Sequence, residues 1–345
     1  MSTSFSRLAT HLASYLVLVL FAGVTQQHAF AQRNAPDIPV VTGAIAIENA
    51  RIVQAPGRII ESGTVVIRDG LIEAVGSNVT VPYDAERIDG SGKTIYAAFI
   101  DGLSNTGVPA PKTSNNLPAV PDRSNPPDDR AGIQPQRDVR DFISSEEKSI
   151  DKMRALGFGA SHVVLQGRML PGSSAIILHT GDSANEMILR GDVSMFSQFV
   201  GAQGMYPGTP MAIMSKMRQL YTEAGRRSQL ETLYKESPAG ATRPDFDAVH
   251  YAFFPVINGT QPIVYYVDDV LEIRRALTLQ NELGFDLMLA GINEAFDAVD
   301  VLVEADVPLF VTLELPEKPD WMSEFKADSI QYILDNYDPD ERTAS

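Results

Sequence analysis

Cysteine is absent from the sequence. Its absence excludes disulfide bonds, a thiolate nucleophile, a cysteine-ligated zinc or iron-sulfur site and a lipid-modified cysteine anchor. Basic residues are scarce as well, because 28 Lys and Arg stand against 44 Asp and Glu and leave a formal net charge of −16. So acidic a chain repels nucleic-acid phosphates and anionic lipid headgroups, and we expect neither nucleic acid nor a membrane surface as a partner.

Only one stretch of the sequence is apolar for long, and it lies at the amino terminus. Residues 12–24 are almost entirely hydrophobic, Arg7 precedes them, and Ala29 and Ala31 form a small-x-small cleavage site. This pattern predicts a signal peptide over residues 1–31, and therefore a periplasmic or secreted protein. The alternative is an uncleaved anchor, but the run is shorter than the roughly 20 residues that a spanning helix needs. After cleavage we expect no membrane contact.

The rest of the chain has the composition of a folded protein of one or two domains, since 44% of its 345 residues are hydrophobic. Residues 41–100 alternate in polarity and carry turn signals at Arg68-Asp69-Gly70 and at residues 89–92. This pattern predicts a small antiparallel sheet of tight hairpins. Prolines are then frequent in residues 106–137, which predicts an extended surface loop.

Helical and strand patterns alternate from residue 144 onward. Ser144 and Glu147 form a capping-box pattern for a helix that Gly157 ends, and a strand follows over residues 160–166. Residues 173–192 contain two short apolar runs, which predict a pair of strands inserted between larger elements.

The last third of the chain repeats a strand-helix unit. Thr209 and Pro210 first open a long helix, and Asp269 with Glu272 caps a later one. Strands are expected over 262–267, 286–290 and 308–313, with helices over 270–283, 294–304 and 322–336. Such alternation with apolar strands requires a parallel sheet covered by helices.

The front of the chain resembles a known family. Residues 48–101 (ENARIVQAPGRIIESGTVVIRDGLIEAVGSNVTVPYDAERIDGSGKTIYAAFID) are similar to the amino-terminal region of the amidohydrolase superfamily, in particular its imidazolonepropionase-like branch. Downstream, the chain resembles the degenerate amino-terminal unit of large secreted bacterial amidohydrolases that carry two such units in tandem. The matching segments are residues 99–107, 153–160, 171–189, 206–219 and 262–277.

The resemblance implies a fold of the α/β class with two parts. A small β-sandwich, the composite domain, would occupy residues 32–94, and a TIM-like (β/α) barrel with a β insertion would occupy residues 95–345. Counting the family's strands, residues 308–313 would be the seventh, so the barrel is expected to be incomplete. We therefore expect a degenerate unit or a truncated chain.

The resemblance also implies a metal site that this chain has lost. Complete family members bind zinc or another divalent metal through His-x-His on the first barrel strand, histidines on strands five and six, and an Asp on strand eight. The corresponding positions here hold Leu103, Asn105, Tyr266 and a residue near Gly291. Leucine cannot ligate a metal and a single amide is a weak zinc ligand, so we expect no metal and no cofactor in this segment.

Few residues remain that could carry chemistry. Three histidines follow the signal peptide, His162, His179 and His250, and their separations match no compact metal motif. Each is expected to pack or form hydrogen bonds. Asp268 lies at the carboxyl end of a strand, where barrel chemistry gathers. His162 and Asp268 are therefore the candidate catalytic residues, and no other is proposed from the sequence.

Two functions from different classes follow. The first is a hydrolase acting on non-peptide carbon-nitrogen bonds, with its metal site outside this chain. The second is a non-catalytic structural or ligand-binding unit that packs on an active amidohydrolase copy, whether a tandem unit or a second protomer of a homo-oligomer. A periplasmic binding protein is a third hypothesis, since alternating strands and helices also build doubly wound sheets, but the hairpin-rich front disfavours it. The small-molecule substrate is not specified by the sequence.

Overall fold

The computed structural model describes residues 43–111, 118–240, 242–293 and 295–312. The predicted signal peptide (1–31) and the predicted helix over 322–336 lie outside the described residues. The chain divides between Ala97 and Ala98 into two compact units. No helix among the described residues combines the length and the apolar character that crossing a bilayer requires.

The first unit is a five-stranded sheet. Strand β1 lies in its centre, antiparallel to β2 and parallel to both β4 and β5, and β3 pairs with β2 at the edge. The strands are β1 (Ala44–Ala55), β2 (Arg58–Arg68), β3 (Leu71–Gly76), β4 (Glu86–Asp89) and β5 (Thr94–Tyr96).

Tight turns set the register of this sheet. Asp69 and Gly70 join β2 to β3 with positive φ angles of 51° and 76°, the backbone of a type I′ hairpin turn, so the turn predicted here is confirmed. Along β1, Ala44, Ala46 and Ala50 are buried while their neighbours are not. One face is thus covered, and the described residues of this unit form a single sheet. A two-layer sandwich remains a prediction.

The second unit combines nine strands with eight helices among its described residues. The strands are β6 (Phe99–Ser104), β7 (Phe158–Val163), β8 (Gly172–Ser173), β9 (Ala175–Leu178), β10 (Ile188–Arg190), β11 (Met195–Gln198), β12 (Ile263–Tyr266), β13 (Leu287–Ile292) and β14 (Leu309–Val311). The helices are α1 (Asp128–Ala131), α2 (Lys148–Ala155), α3 (Ala184–Met187), α4 (Pro210–Glu236), α5 (Ala248–Ala252), α6 (Phe254–Ile257), α7 (Val270–Leu283) and α8 (Val299–Ala305), with 3-10 turns at Val139–Phe142 and Phe296–Ala298.

Two sheets organise this unit, and the predicted β insertion joins them. One sheet has the order β10-β9-β7-β6 and the other β14-β13-β12-β11-β8. Strands β11 to β14 are parallel, as are β6 and β7. Strands β8 and β9 pair antiparallel with β11 and β7, so the consecutive residues 172–178 connect the sheets. Within the described residues the sheets do not close into a barrel, and an incomplete barrel stays a prediction.

Helix ends follow the sequence closely in the last third. The Asp269 carboxylate accepts from the backbone N–H of Glu272 at 2.7 Å, and α7 ends at Gly284 with φ 78°. Thr209 likewise caps α4, accepting from the N–H of Ala212 at 3.3 Å.

The capping box predicted at Ser144 is wrong. Helix α2 begins at Lys148, and Glu147 precedes it without a side-chain cap. The N–H of Ser144 donates to the carbonyl of Gly107 at 2.8 Å, so tertiary contact fixes this residue in the connection before the helix.

The parallel strands bury their two faces differently. On the outer face, Ile263, Tyr265 and Leu289 pack with the helices in the main hydrophobic core. On the inner face, Val264 and Ala290 join a separate, smaller cluster. This alternation is the period-two signature of a strand with a core on each side, and it decides which side chains reach the interior.

Replacing a side chain of the outer face should destabilise the fold strongly. Ile263 is fully buried in the main core, so Ile263→Ala should lower the free energy of unfolding by about 2 to 5 kcal/mol. Urea unfolding followed by circular dichroism measures this. The control is Val303→Ala on α8, where the side chain is exposed and a change below about 0.5 kcal/mol is expected. Equal losses in both variants would contradict the assignment of the core.

Candidate functional site

Apolar side chains fill the inner face of the two sheets. The cluster contains Val164, Phe196, Val264 and Ala290, all buried, with Leu103, Met288 and Phe310 packed against it. The strands that carry them end at one edge, and in a (β/α) architecture the chemistry gathers at the carboxyl ends of the strands. The interior beneath the candidate site is therefore hydrophobic.

Leu103 and Asn105 are the positions that the resemblance assigns to the first two metal ligands. Leu103 belongs to the inner apolar cluster. Asn105 follows β6 directly, and its Nδ2 donates to the carbonyl oxygen of Val164 at 2.7 Å. The side chain is thus held by backbone rather than directed to a cation.

Tyr266 and Gly291, which lie at or near the ligand positions that the resemblance implies on strands five and six, are in direct contact. Gly291, in β13, has φ 81°, and a Cβ built there would lie 2.2 Å from Cε2 of Tyr266. The ring of Tyr266 therefore lies over the glycine. A side chain at residue 291 would require this ring to move, and the φ of 81° there favours glycine.

A second aromatic ring covers a second glycine. A Cβ built on Gly102 in β6 would lie 2.5 Å from Cδ1 of Phe310 in β14. Phe310 is also tilted against the ring of His162, with centroids 6.2 Å apart. The rings of Tyr266 and Phe310 thus cover the backbone at Gly291 and Gly102 on the inner face.

His162 is buried in a closed hydrogen-bond network. Its Nδ1 donates to the carbonyl of Gly102 at 3.0 Å, because a carbonyl oxygen can only accept. Its Nε2 then accepts from the hydroxyl of Ser174 at 2.7 Å, with the hydroxyl of Ser194 at 3.2 Å. Ser174 and Ser194 are 2.6 Å apart and both fully buried. The distance between His162 and Ser174 is that of a serine-histidine dyad, yet neither serine hydroxyl is accessible to a substrate.

Burial sets the charge state of His162. Removal from water lowers the pKa of the imidazole below its ordinary value, although the Gly102 carbonyl and the charge of Asp101 oppose the shift. The ring is neutral at pH 7, in agreement with the tautomer that its partners require.

The other two histidines lie apart from this network. His179 is buried, its Nδ1 donates to the carbonyl of Phe158 at 2.8 Å, and its Nε2 accepts from Ser161 at 2.8 Å. His250 on α5 lies 2.8 Å from the carboxylate of Asp247 and 3.2 Å from that of Glu223. The described residues contain no group of three or more His, Cys, Asp or Glu that could hold a metal ion.

Asp268 lies where the sequence placed it, just beyond β12, and its side chain lines a cavity of about 700 Å³ between β6, β12, β13 and β14. The same cavity is lined by Asp101, whose carboxylate accepts from the N–H of Leu103 at 3.3 Å. The structure does not bring Asp268 and His162 together in this lining. The two candidate catalytic residues therefore form no common site there.

Two residues at strand ends escaped the sequence analysis. Asn293 follows β13 and lines the larger cavity, and its Oδ1 is buried without a hydrogen-bond partner. Gln198 ends β11 and lines a second cavity of about 340 Å³. Their position at the carboxyl ends of parallel strands was the available signal, since neither residue type stands out in the sequence.

No protein-family model matches the chain, and neither does any curated protein by sequence. Among solved structures, an amidohydrolase from Thermotoga maritima superposes with a TM-score of 0.66 at 20% identity, over 84% of this chain and 76% of its own. The L-hydantoinase of Arthrobacter aurescens (13% identity, TM-score 0.32, 77% and 57%) and the guanine deaminase of E. coli (11%, 0.31, 79% and 74%) are also similar. The first superposition shows that this chain shares the fold of the Thermotoga maritima protein.

The buried imidazole predicts a loss of stability in acid. Because the folded pKa of His162 is below the unfolded value of about 6.5, its contribution is complete above pH 6.5 and declines as the pH falls below it, by up to about 1.4 kcal/mol per pH unit. Urea unfolding at pH 7.5, 6.5 and 5.5 measures the slope.

His162→Asn isolates this effect from other titrating groups. The variant keeps a donor for the Gly102 carbonyl but cannot be protonated, so it should be less stable at pH 7.5 and flatter in its pH dependence than the original protein. An identical slope in the two proteins would show that His162 does not titrate on unfolding.

Proposed function

We propose that this chain is a non-catalytic unit with the amidohydrolase fold, which binds a ligand or packs on an active copy and holds no metal of its own. The observation that carries the proposal is the ring of Tyr266 over Gly291. Loss of one ligand can be compensated, but the positions that the resemblance assigns to strands five and six hold a tyrosine and, at or near the second, a glycine that the tyrosine ring covers.

The chemistry of the donor set supports the same proposal. A metal-dependent hydrolase needs three or four His or carboxylate ligands around an open position, together with a base for the bound water. Leu103 has no donor atom, Gly291 has no side chain, and Asn105 gives its amide N–H to Val164. These residues do not fit zinc, so no hydrolytic step is assigned to them.

The second candidate is a hydrolase of non-peptide carbon-nitrogen bonds. The superposition with the Thermotoga maritima amidohydrolase supports it, because the two chains share their fold over most of their lengths. In that case the ligands come from a second unit, as expected for the degenerate half of a tandem protein of the imidazolonepropionase-like branch. A tandem copy or a second protomer is the partner in both accounts, and a periplasmic or secreted location follows from the predicted signal peptide.

Metal analysis tests whether this chain holds a metal of its own. Purified protein should contain less than one equivalent of zinc after dialysis against zinc chloride, and it should not hydrolyse a panel of amides, lactams and dipeptides with or without added metal. Plasma mass spectrometry and an amine-release assay measure this. One equivalent of zinc, removable by a chelator with loss of hydrolysis, would overturn the proposal.

A variant that restores two ligands serves as the control. Leu103→His combined with Asn105→His should remain without zinc and without activity, because Tyr266 and Gly291 still exclude the remaining ligands. Activity in this double variant would mean that the ring over the glycine is no obstacle.

A further inference from the structure

The two cavities at the strand ends are neighbours and share two lining residues. Both are lined by Leu103 and Tyr266, which separate the larger one from the smaller. The described residues that line them include carboxylates, amides and aromatic rings, yet no Lys, Arg or His. These described residues therefore contribute several hydrogen-bond acceptors and no positive charge.

The amides of the smaller cavity are oriented by the backbone. Gln198 Nε2 donates to the carbonyls of Gly167 at 2.8 Å and Arg168 at 2.9 Å, and Asn105 Nδ2 donates to that of Val164 at 2.7 Å. Only the NH2 group of an amide can meet a carbonyl oxygen, so the orientation of both side chains is fixed. Their own carbonyl oxygens remain as acceptors for a ligand.

The larger cavity adds a buried acceptor and negative charge. Asn293 Oδ1 is buried and has no hydrogen-bond partner among the described residues, so a ligand donor that reached it would satisfy this acceptor. Asp101 and Asp268 line the same cavity. A carboxylate-bearing ligand would be repelled here, and a ligand with positively charged N–H groups would be attracted.

Aromatic rings complete the lining. Tyr266 and Phe310 both line the larger cavity, and Tyr266 is partly exposed. The face of such a ring attracts a cation, and its flat surface accommodates a planar group. A planar cation with several N–H donors therefore satisfies the acceptors, the charge and the rings together.

We propose that these cavities form a binding site for a small planar organic cation of the amidinium or guanidinium class, which is bound and not turned over. The inference rests on the proposed function, since it gives the metal-free unit its ligand. Cavities of about 700 and 340 Å³ are in the size range of small-molecule sites.

Three ligands of one shape test the charge requirement. Benzamidine, benzamide and benzoate share a planar skeleton and carry charges of about +1, 0 and −1 at neutral pH, respectively, given the ordinary behaviour of amidines and carboxylic acids. In calorimetric titrations of the purified protein, benzamidine should bind, benzamide should bind at least about tenfold more weakly, and benzoate should not bind. Equal affinities, or no binding of benzamidine, would overturn the inference.

Variants locate the site and exclude a general attraction to an acidic protein. Asp268→Asn should weaken benzamidine binding by about tenfold, the loss expected for one charge-assisted contact. Asp182→Asn removes the same charge from an exposed residue outside both linings and should leave binding unchanged. Equal weakening in the two variants would mean a non-specific effect of net charge and would overturn the site.

The outcome for this site is distinguishable from that for the proposed function. A protein that takes up zinc refutes the metal-free unit whatever benzamidine does. If the protein binds neither zinc nor benzamidine, only the proposed ligand class is refuted.

Discussion

The contact between Tyr266 and Gly291 constrains the candidate site more than any other. Any side chain at residue 291 would overlap the phenol ring, and the backbone there has a φ of 81° that residues with a Cβ rarely adopt. Phe310 over Gly102 repeats the arrangement across the interior. A side chain at either glycine would require one of these rings to move. Tyr266 and Leu103 line both strand-end cavities, so the position of the Tyr266 ring shapes them.

A second constraint connects the sheets. His162 in β7 donates a hydrogen bond from Nδ1 to the Gly102 carbonyl of β6. Its Nε2 accepts from Ser174, which lies between β8 and β9, and lies 3.2 Å from the hydroxyl of Ser194, which precedes β11. Every buried polar atom of the ring has a partner, which is the condition under which a buried polar network stabilises rather than costs. The network also explains why a histidine near a strand end is a poor sign of catalysis here. Its nitrogen atoms are engaged by the fold.

Local rules predicted the elements well. Several elements that depend on a few neighbouring residues were predicted from the sequence. They are strands β12 and β13, the cap at Asp269, the helix end at Gly284 and the turn at Asp69-Gly70. The β insertion was also confirmed as an antiparallel pair. The cap at Ser144 failed because a tertiary bond to Gly107 decides its conformation. Boundaries fixed by packing between distant segments lie beyond local patterns.

The candidate site was likewise predictable where it depends on local sequence and not where it depends on contacts between distant segments. The assignment of Leu103, Asn105 and Tyr266 to ligand positions follows from the family resemblance and stays a prediction. The sequence could not show which side chains pack over Gly102, since the Phe310–Gly102 contact joins residues far apart in the chain. Asn293 and Gln198 were missed for the same reason. An amide becomes informative only when its surroundings reveal a missing partner, as at Asn293, or a fixed orientation, as at Gln198.

The resemblance implies that rings and amides stand where the family has histidines, and this difference has an electrostatic consequence. A divalent metal in such a site neutralises nearby carboxylates and orders the oxygen ligands around it. Asp101 and Asp268 line the larger cavity, and the described residues that line it include no Lys, Arg or His. A cavity lined by carboxylates and aromatic rings is therefore suited to the proposed organic cation, since the rings favour a planar group that water would hold less tightly than a metal ion.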